Sequence, residues 1–139
     1  MKKTIVLGLS LLVLITLMLS CVTSHDYYLK ISCDDFMENH TGLQSNYEIE
    51  IGDKIYVELC SNPTTGFEWS CEMTGDAALK VEDHDFEAPG SDLPGAPGKE
   101  TWTFEAAKKG KTVINMDYSQ PWEGGIKGEW AYKIDVTVK

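Results

Sequence analysis

The chain has 139 residues, 42% hydrophobic and 24% charged, an ordinary mixture for about one domain. Twelve basic side chains, all lysine, oppose 22 acidic ones, and the net charge of −10 at pH 7 argues against nucleic-acid binding through a basic face. The length leaves no room for a two-domain enzyme with its own cofactor fold, and neither a Walker loop nor a G-x-G-x-x-G turn is present, so no cofactor is expected.

Lys2 and Lys3 precede an apolar run from Ile5 to Leu19, interrupted only by Gly8, Ser10 and Thr16. A spanning helix needs about 20 apolar residues, whereas the core of a secretory signal needs about 7–15. Met18-Leu19-Ser20-Cys21 follows, and a small residue before a cysteine at this place resembles a bacterial lipoprotein cleavage site. The resemblance implies a signal peptide over 1–20, lipidation of Cys21, a short tether over 21–26 and a domain over 27–139. It places the domain outside the cytoplasm, held to a membrane by its N-terminal lipid. An ordinary signal peptide cut nearby, releasing a secreted protein with Cys21 as a leftover thiol, is the plainer alternative. Without residues 1–20, ten basic side chains face 22 acidic ones, a charge of −12. Such a surface repels anionic lipid, so a lipid chain and not charge would hold the domain.

Alternation with period two then recurs to the end of the chain and predicts half-buried strands. Leu29, Ile31 and Cys33 share one face of a first strand. Asp34 to Gln44 reads as a loop. Tyr47, Ile49 and Ile51 form the next inward set, and Gly52-Asp53 turns the chain into Ile55, Val57 and Leu59. Phe67, Trp69, Cys71 and Met73 follow, then a short strand at Leu79 and Val81 running toward Phe86. Trp102, Phe104 and Ala106 come next, then Thr112, Ile114, Met116 and Tyr118, and last Trp130, Tyr132, Ile134, Val136 and Val138. About eight strands without a convincing helix predict an all-β fold, an immunoglobulin-like antiparallel β-sandwich.

Three cysteines lie in the domain, and disulfides are permitted outside the cytoplasm. The number is odd, so at least one stays free or pairs with another molecule. Cys33 and Cys71 fall on the inward faces of their strands while Cys60 falls outward, so parity favours Cys33 with Cys71. The spacings match no zinc pattern, and no metal is expected. His25, His40 and His84 sit in polar surroundings and are expected at the surface.

Three segments are left over from the strands. Residues 61–67 form a stiff, uncharged turn: Pro63 fixes φ, Gly66 can take φ > 0, and Asn62, Thr64 and Thr65 can bond the local backbone before Phe67. Residues 87–99 carry Pro89-Gly90, Pro94-Gly95 and Pro97-Gly98, and are either a binding loop or a mobile linker. Residues 119–125 place Trp122 between Pro121 and Glu123-Gly124. It is either an interface anchor or a side chain folded over the sheet edge. In a sandwich, loops in these places can gather at one end.

Here the sequence resembles the chagasin-type (family I42) inhibitors of papain-like cysteine proteases. Asn62-Pro63-Thr64-Thr65-Gly66-Phe67, followed by Trp69, matches that family's first signature loop. Gly95-Ala96-Pro97-Gly98, running into Glu100 and Trp102, resembles its glycine-rich second loop. Tyr118 to Trp122 resembles its third, with Gln120 where arginine is usual, then Pro121 and Trp122. The similarity spans about Tyr47 to Val138, in the expected order. It implies a monomeric, non-enzymatic inhibitor, reversible and non-covalent, whose three loops occlude a protease cleft. Thr64 would lie over the catalytic pair, Gly95 to Gly98 along the non-primed subsites, and Trp122 on the primed side. The rival reading is an immunoglobulin-like lipoprotein for adhesion or another protein interaction, since sandwiches host many functions. Catalysis is disfavoured, because no cysteine or serine has a persuasive histidine partner.

Overall fold

The computed structural model describes residues 23–90 and 93–139. The expected signal peptide, the Cys21 lipidation site and the start of the tether lie outside the described residues. Eight strands form two four-stranded sheets. The strands are β1 (Asp26–Ile31), β2 (Leu43–Ile49), β3 (Lys54–Ser61), β4 (Glu68–Gly75), β5 (Leu79–Glu87), β6 (Gly98–Ala106), β7 (Gly110–Ser119) and β8 (Trp130–Val138). One sheet has the order β1-β3-β6-β5 and the other β2-β8-β7-β4. Neighbours are antiparallel except β1 with β3 and β2 with β8.

The core is the sum of the inward sets. Ile55, Val57 and Leu59 of β3 are fully enclosed, as are Ile114 of β7, Ile134 of β8 and Phe104 of β6. Register stacks them in rows: Ile114 lies between Met73 and Ile134, and Tyr118 between Trp69 and Trp130. Period-two alternation was legible because each central strand has one wet face and one dry face.

Two stretches depart from the alternation. β5 runs for nine residues, longer than the short strand at Leu79 and Val81, and only its first residue is buried. It is an edge strand with a register shift between Val81 and Asp83, so it carries no clean pattern. Ile51 lies beyond the end of β2 and is exposed.

The segment expected to be a loop after the first strand instead begins with a short helix, α1 (Cys33–Glu38). Ser32 caps it: its hydroxyl accepts the Asp35 N–H at 3.2 Å, while the Asp35 carboxylate accepts the Ser32 N–H at 2.8 Å. The hydrogen bonds from the Ser32 hydroxyl and backbone hold the Asp35 carboxyl below its ordinary range. Phe36, 0% exposed, is the residue that α1 inserts into the core.

This helix overturns the expected cysteine pairing. The disulfide joins Cys33 to Cys60, with Cα atoms 5.1 Å apart, and not Cys33 to Cys71. Strand parity stops applying at Ile31, because Ser32 turns the chain into α1. The helix packs against β3 and carries Cys33 to Cys60, which is buried there despite its outward parity. Cys71 stays free and half-buried on β4, and burial pushes its thiol up to about 11.

At the start of β3, Asp53 is 1% exposed. Its carboxylate accepts the His25 N–H at 2.7 Å and the Glu50 N–H at 2.8 Å. Burial alone would raise its pKa, but these backbone hydrogen bonds outweigh it and hold the group below its usual value. The folded pKa is therefore lower than the unfolded one. The stabilisation is full above about pH 4 and is lost as pH falls through and below that value. Asp53→Asn is expected to cost about 2 kcal/mol at neutral pH. Thermal melts from neutral to strongly acid pH should show the wild type losing its advantage over this variant; an advantage that stays constant would contradict the assignment.

Candidate functional site

The three segments singled out by sequence meet at one end of the sandwich, opposite Asp53. Strand ends define them: the first lies between β3 and β4, the second between β5 and β6, and the third between β7 and β8. β5 and β6 extend into the second segment, leaving 88–90 and 93–97 of the described residues between the strands.

The first loop is built on an aromatic base. Tyr118 stacks against Trp130 at 4.9 Å, Trp69 at 5.0 Å and Phe67 at 5.3 Å between ring centroids. Phe36 packs on Trp69 and Trp130, both at 5.1 Å. Two polar tips of this cluster hold the loop. The Asn62 N–H donates to Tyr118 Oη at 2.7 Å, and Trp69 Nε1 donates to the Cys60 carbonyl at 2.9 Å. Directly after these anchors Pro63–Thr65 makes one 3₁₀ turn. Thr64 Oγ1 donates to Asn62 Oδ1 and Thr65 Oγ1 to the Asn62 carbonyl, both at 2.6 Å. Both hydroxyls are thus spent within the loop, and the turn is rigid before any partner arrives.

Asn62 also reaches the second loop, donating Nδ2 to the Gly95 carbonyl at 2.8 Å. Ala96 N–H returns to the Leu93 carbonyl at 3.1 Å, closing a turn around Gly95. Gly98 opens β6 where no side chain fits: a Cβ there would overlap the Glu87 carbonyl and come within 2.8 Å of the Phe86 ring. Pro97 lines a cleft of about 390 Å³ with Asn62, Thr65, Phe67, Tyr118 and Ile126.

The third loop leans on the first. Gly66 has φ +79, which suits glycine, and a Cβ there would lie 2.5 Å from the six-membered ring of Trp122. Trp122 therefore sits on the Gly66 backbone with half of its surface (50%) exposed. The sequence left open an interface anchor or a ring folded over the sheet edge; the ring rests on the first loop, with its other half free. Gln120 turns to its own loop: its Oε1 accepts the Ile126 N–H at 3.0 Å and closes it. The Lys127 ammonium donates to the Gln120 carbonyl and, at 3.1 Å, to the Trp122 carbonyl. Pro121, between them, lies exposed beside Trp122.

Sequence reasoning missed several residues of this end. Tyr118 and Trp69 read as core, yet their polar tips hold the first loop; an inward aromatic next to a loop was the available signal. Leu93, Phe86 and Ile126 are exposed apolar side chains at the rim: Phe86 and Leu93 lie beside Pro63 and Thr64, and Ile126 beside Thr65 and Phe67. Lys127 had no local signal at all. Among the described residues no cluster of His, Cys, Asp and Glu could hold a metal ion.

The chain is thus a small sandwich with interlocked, pre-ordered loops and an exposed tryptophan at one end. The comparisons with known proteins give its kind: the model of the chagasin family of peptidase inhibitors, I42, matches residues 48–138, and the chain belongs to that family. It is 33% identical over 81 residues to chagasin of Trypanosoma cruzi, covering 55% of this chain and 73% of chagasin. It is also 33% identical over 94 residues to amoebiasin-2 of Entamoeba histolytica, covering 63% of this chain and 69% of that protein. Among solved structures, the crystal structure of a cysteine protease inhibitor from Entamoeba histolytica superposes with a TM-score of 0.67 at 23% identity, over 84% of this chain and 97% of that one. PbICP-C, solved in complex with falcipain-2, gives 0.58 at 18% identity, over 81% and 99%. These structures share the fold. The family consists of inhibitors, so the chain is not an enzyme.

Gly66→Ala should force the Trp122 ring off the first loop. Its indole emission is expected to shift toward that of a fully hydrated tryptophan, with a small loss of stability of about 1 kcal/mol. An unchanged spectrum against a Trp122→Phe reference would show that the two loops do not touch.

Proposed function

We propose that this protein is a reversible, non-covalent inhibitor of papain-like cysteine endopeptidases, acting as a monomer that fills the active-site cleft with residues 61–67, 87–99 and 119–125. The observation that carries the reading is the locking of three loops at one end, through Asn62 to Gly95 and through Gly66 to Trp122. A protease cuts only when a peptide carbonyl comes within about 3–3.5 Å of its nucleophile in attack geometry. A 3₁₀ turn held by the Asn62 side chain and carbonyl offers no extended peptide to attack. Thr64, at its apex, would cover the catalytic cysteine and histidine. Gly95, Ala96, Pro97 and Gly98 would follow one side of the cleft, and Pro121 with Trp122 the other. Loop order is already established by folding, so docking loses little conformational entropy. A standard inhibitor interface buries about 1,600 Å², within reach of three loops and the rim of Leu93, Phe86 and Ile126. Gln120, turned to its own loop, supplies no charge to the enzyme.

Titration against papain should show tight inhibition that Trp122→Ala weakens by about 2 kcal/mol, roughly 30-fold. An unchanged inhibition constant would remove Trp122 from the wedge, and a wild type inert against papain-like enzymes would refute the function.

The basic start, the apolar run and Ser20-Cys21 support anchoring through a lipid on Cys21. β1 pairs in parallel with β3, so the chain enters the domain at the Asp53 end. A tether there would leave the loops facing away from the membrane. Detergent-phase partitioning of the expressed protein, abolished by Cys21→Ser, is the expected result; equal partitioning of both forms would exclude the anchor.

A further inference from the structure

Three strands of the first sheet are joined just beneath the loops by a chain of polar side chains. Glu100 of β6, only 7% exposed, accepts Ser61 Oγ at 2.9 Å through one oxygen. Its other oxygen lies 2.7 Å from His84 Nε2 on β5. The imidazole lies flat on Trp102, with centroids 3.6 Å apart, and its outer edge is open to solvent. Ser61 is the last residue of β3 and pairs with Gly98, the first of β6. The next residue is Asn62, which holds both the first loop and Gly95. The chain of contacts therefore runs from solvent at His84, through a buried carboxylate, to the residue on which two loops depend.

A surface histidine has no need of this arrangement, and a core has little use for a buried carboxylate bonded to a serine. We propose that His84, Glu100 and Ser61 form a proton-sensitive tie, with Glu100 as a positioning residue that fixes Asn62 when His84 is charged. The inference rests on the inhibitor reading for its consequence, but the tie itself belongs to the free protein. A carboxylate can only accept, so His84 Nε2 must carry a hydrogen. With the ring charged, the pair is a charge-assisted bond that compensates the buried carboxylate. With the ring neutral, the buried carboxylate loses its compensating charge and must draw in water, which competes with Ser61 for its oxygens. Imidazoles change charge between about pH 5 and 8, which includes the mildly acid range.

Among the described residues, Glu100 is the carboxylate within ion-pairing distance of the ring. β5 packs against β6. On β6, Glu105 is paired with Lys80 at 3.0 Å, and Lys99 lies opposite Glu87 and 3.8 Å from Glu58. Asp83 and Asp85 flank His84 on its own strand and are exposed.

The test has two readouts on the intact protein. In amide NMR spectra of the free inhibitor, the Ser61 and Asn62 signals should titrate with the His84 ring in the wild type. They should lose that step in both His84→Gln and Glu100→Gln. Against papain, the wild-type inhibition constant should weaken about fivefold more than that of His84→Gln between about pH 5.5 and 7.5. Glu100→Gln removes the buried charge that answers to the ring, so its inhibition constant should show no step between these pH values. Ser61 and Asn62 amides that ignore His84, or a pH step that survives in Glu100→Gln, would overturn the tie. Coupled amides in a protein that inhibits no papain-like enzyme would sink the inhibitor reading and leave the tie standing.

Discussion

The aromatic floor centred on Tyr118 is the constraint on which the rest depends. Five rings, from α1, β4, β7, β8 and the approach to β4, meet below the loop end. They close the mouth of the sandwich and supply two hydrogen-bonding tips to the backbone of the first loop. A loop tip above an apolar core normally has only water to satisfy its amides. Here the core reaches up and fixes Asn62, and everything beyond Asn62 inherits that fixity. The second loop hangs on its side-chain amide, and the third rests on Gly66, four residues further on.

α1 and the disulfide serve the same end. Phe36 completes the ring cluster from the side, and the Cys33–Cys60 bridge ties the helix to the residue whose carbonyl receives the Trp69 indole. Helix, bridge and floor thus converge on the last residues of β3. The opposite end of the sandwich is built differently, around the buried Asp53 carboxylate and the chain entry. One end is organised for chain closure, and the other carries the three interlocked loops.

Much of this was legible in the sequence. Central strands such as β3 and β7 announce themselves because each side chain faces either water or core. The turn from Asn62 to Gly66 was readable because Pro63 and Gly66 restrict the backbone by themselves. What could not be read are features set by distant neighbours. Cys33 leaves its strand parity because Ser32 caps a helix of only six residues, too short to leave a helical period. β5 hides because an edge strand wets both faces. Gln120 turns to its own loop for the sake of Ile126, six residues away, and Lys127 meets carbonyls that no local pattern marks.

The seat of Trp122 on bare backbone at Gly66 has a consequence for anyone borrowing these loops. Each segment turns on its own hydrogen bonds but is one half of a fitted pair, covering a flank that the other would leave open. Transplanted singly onto another scaffold, the tryptophan hairpin would lose its resting surface and the proline turn would gain an uncovered flank. The two must travel together, with Tyr118 beneath them, as the smallest portable unit.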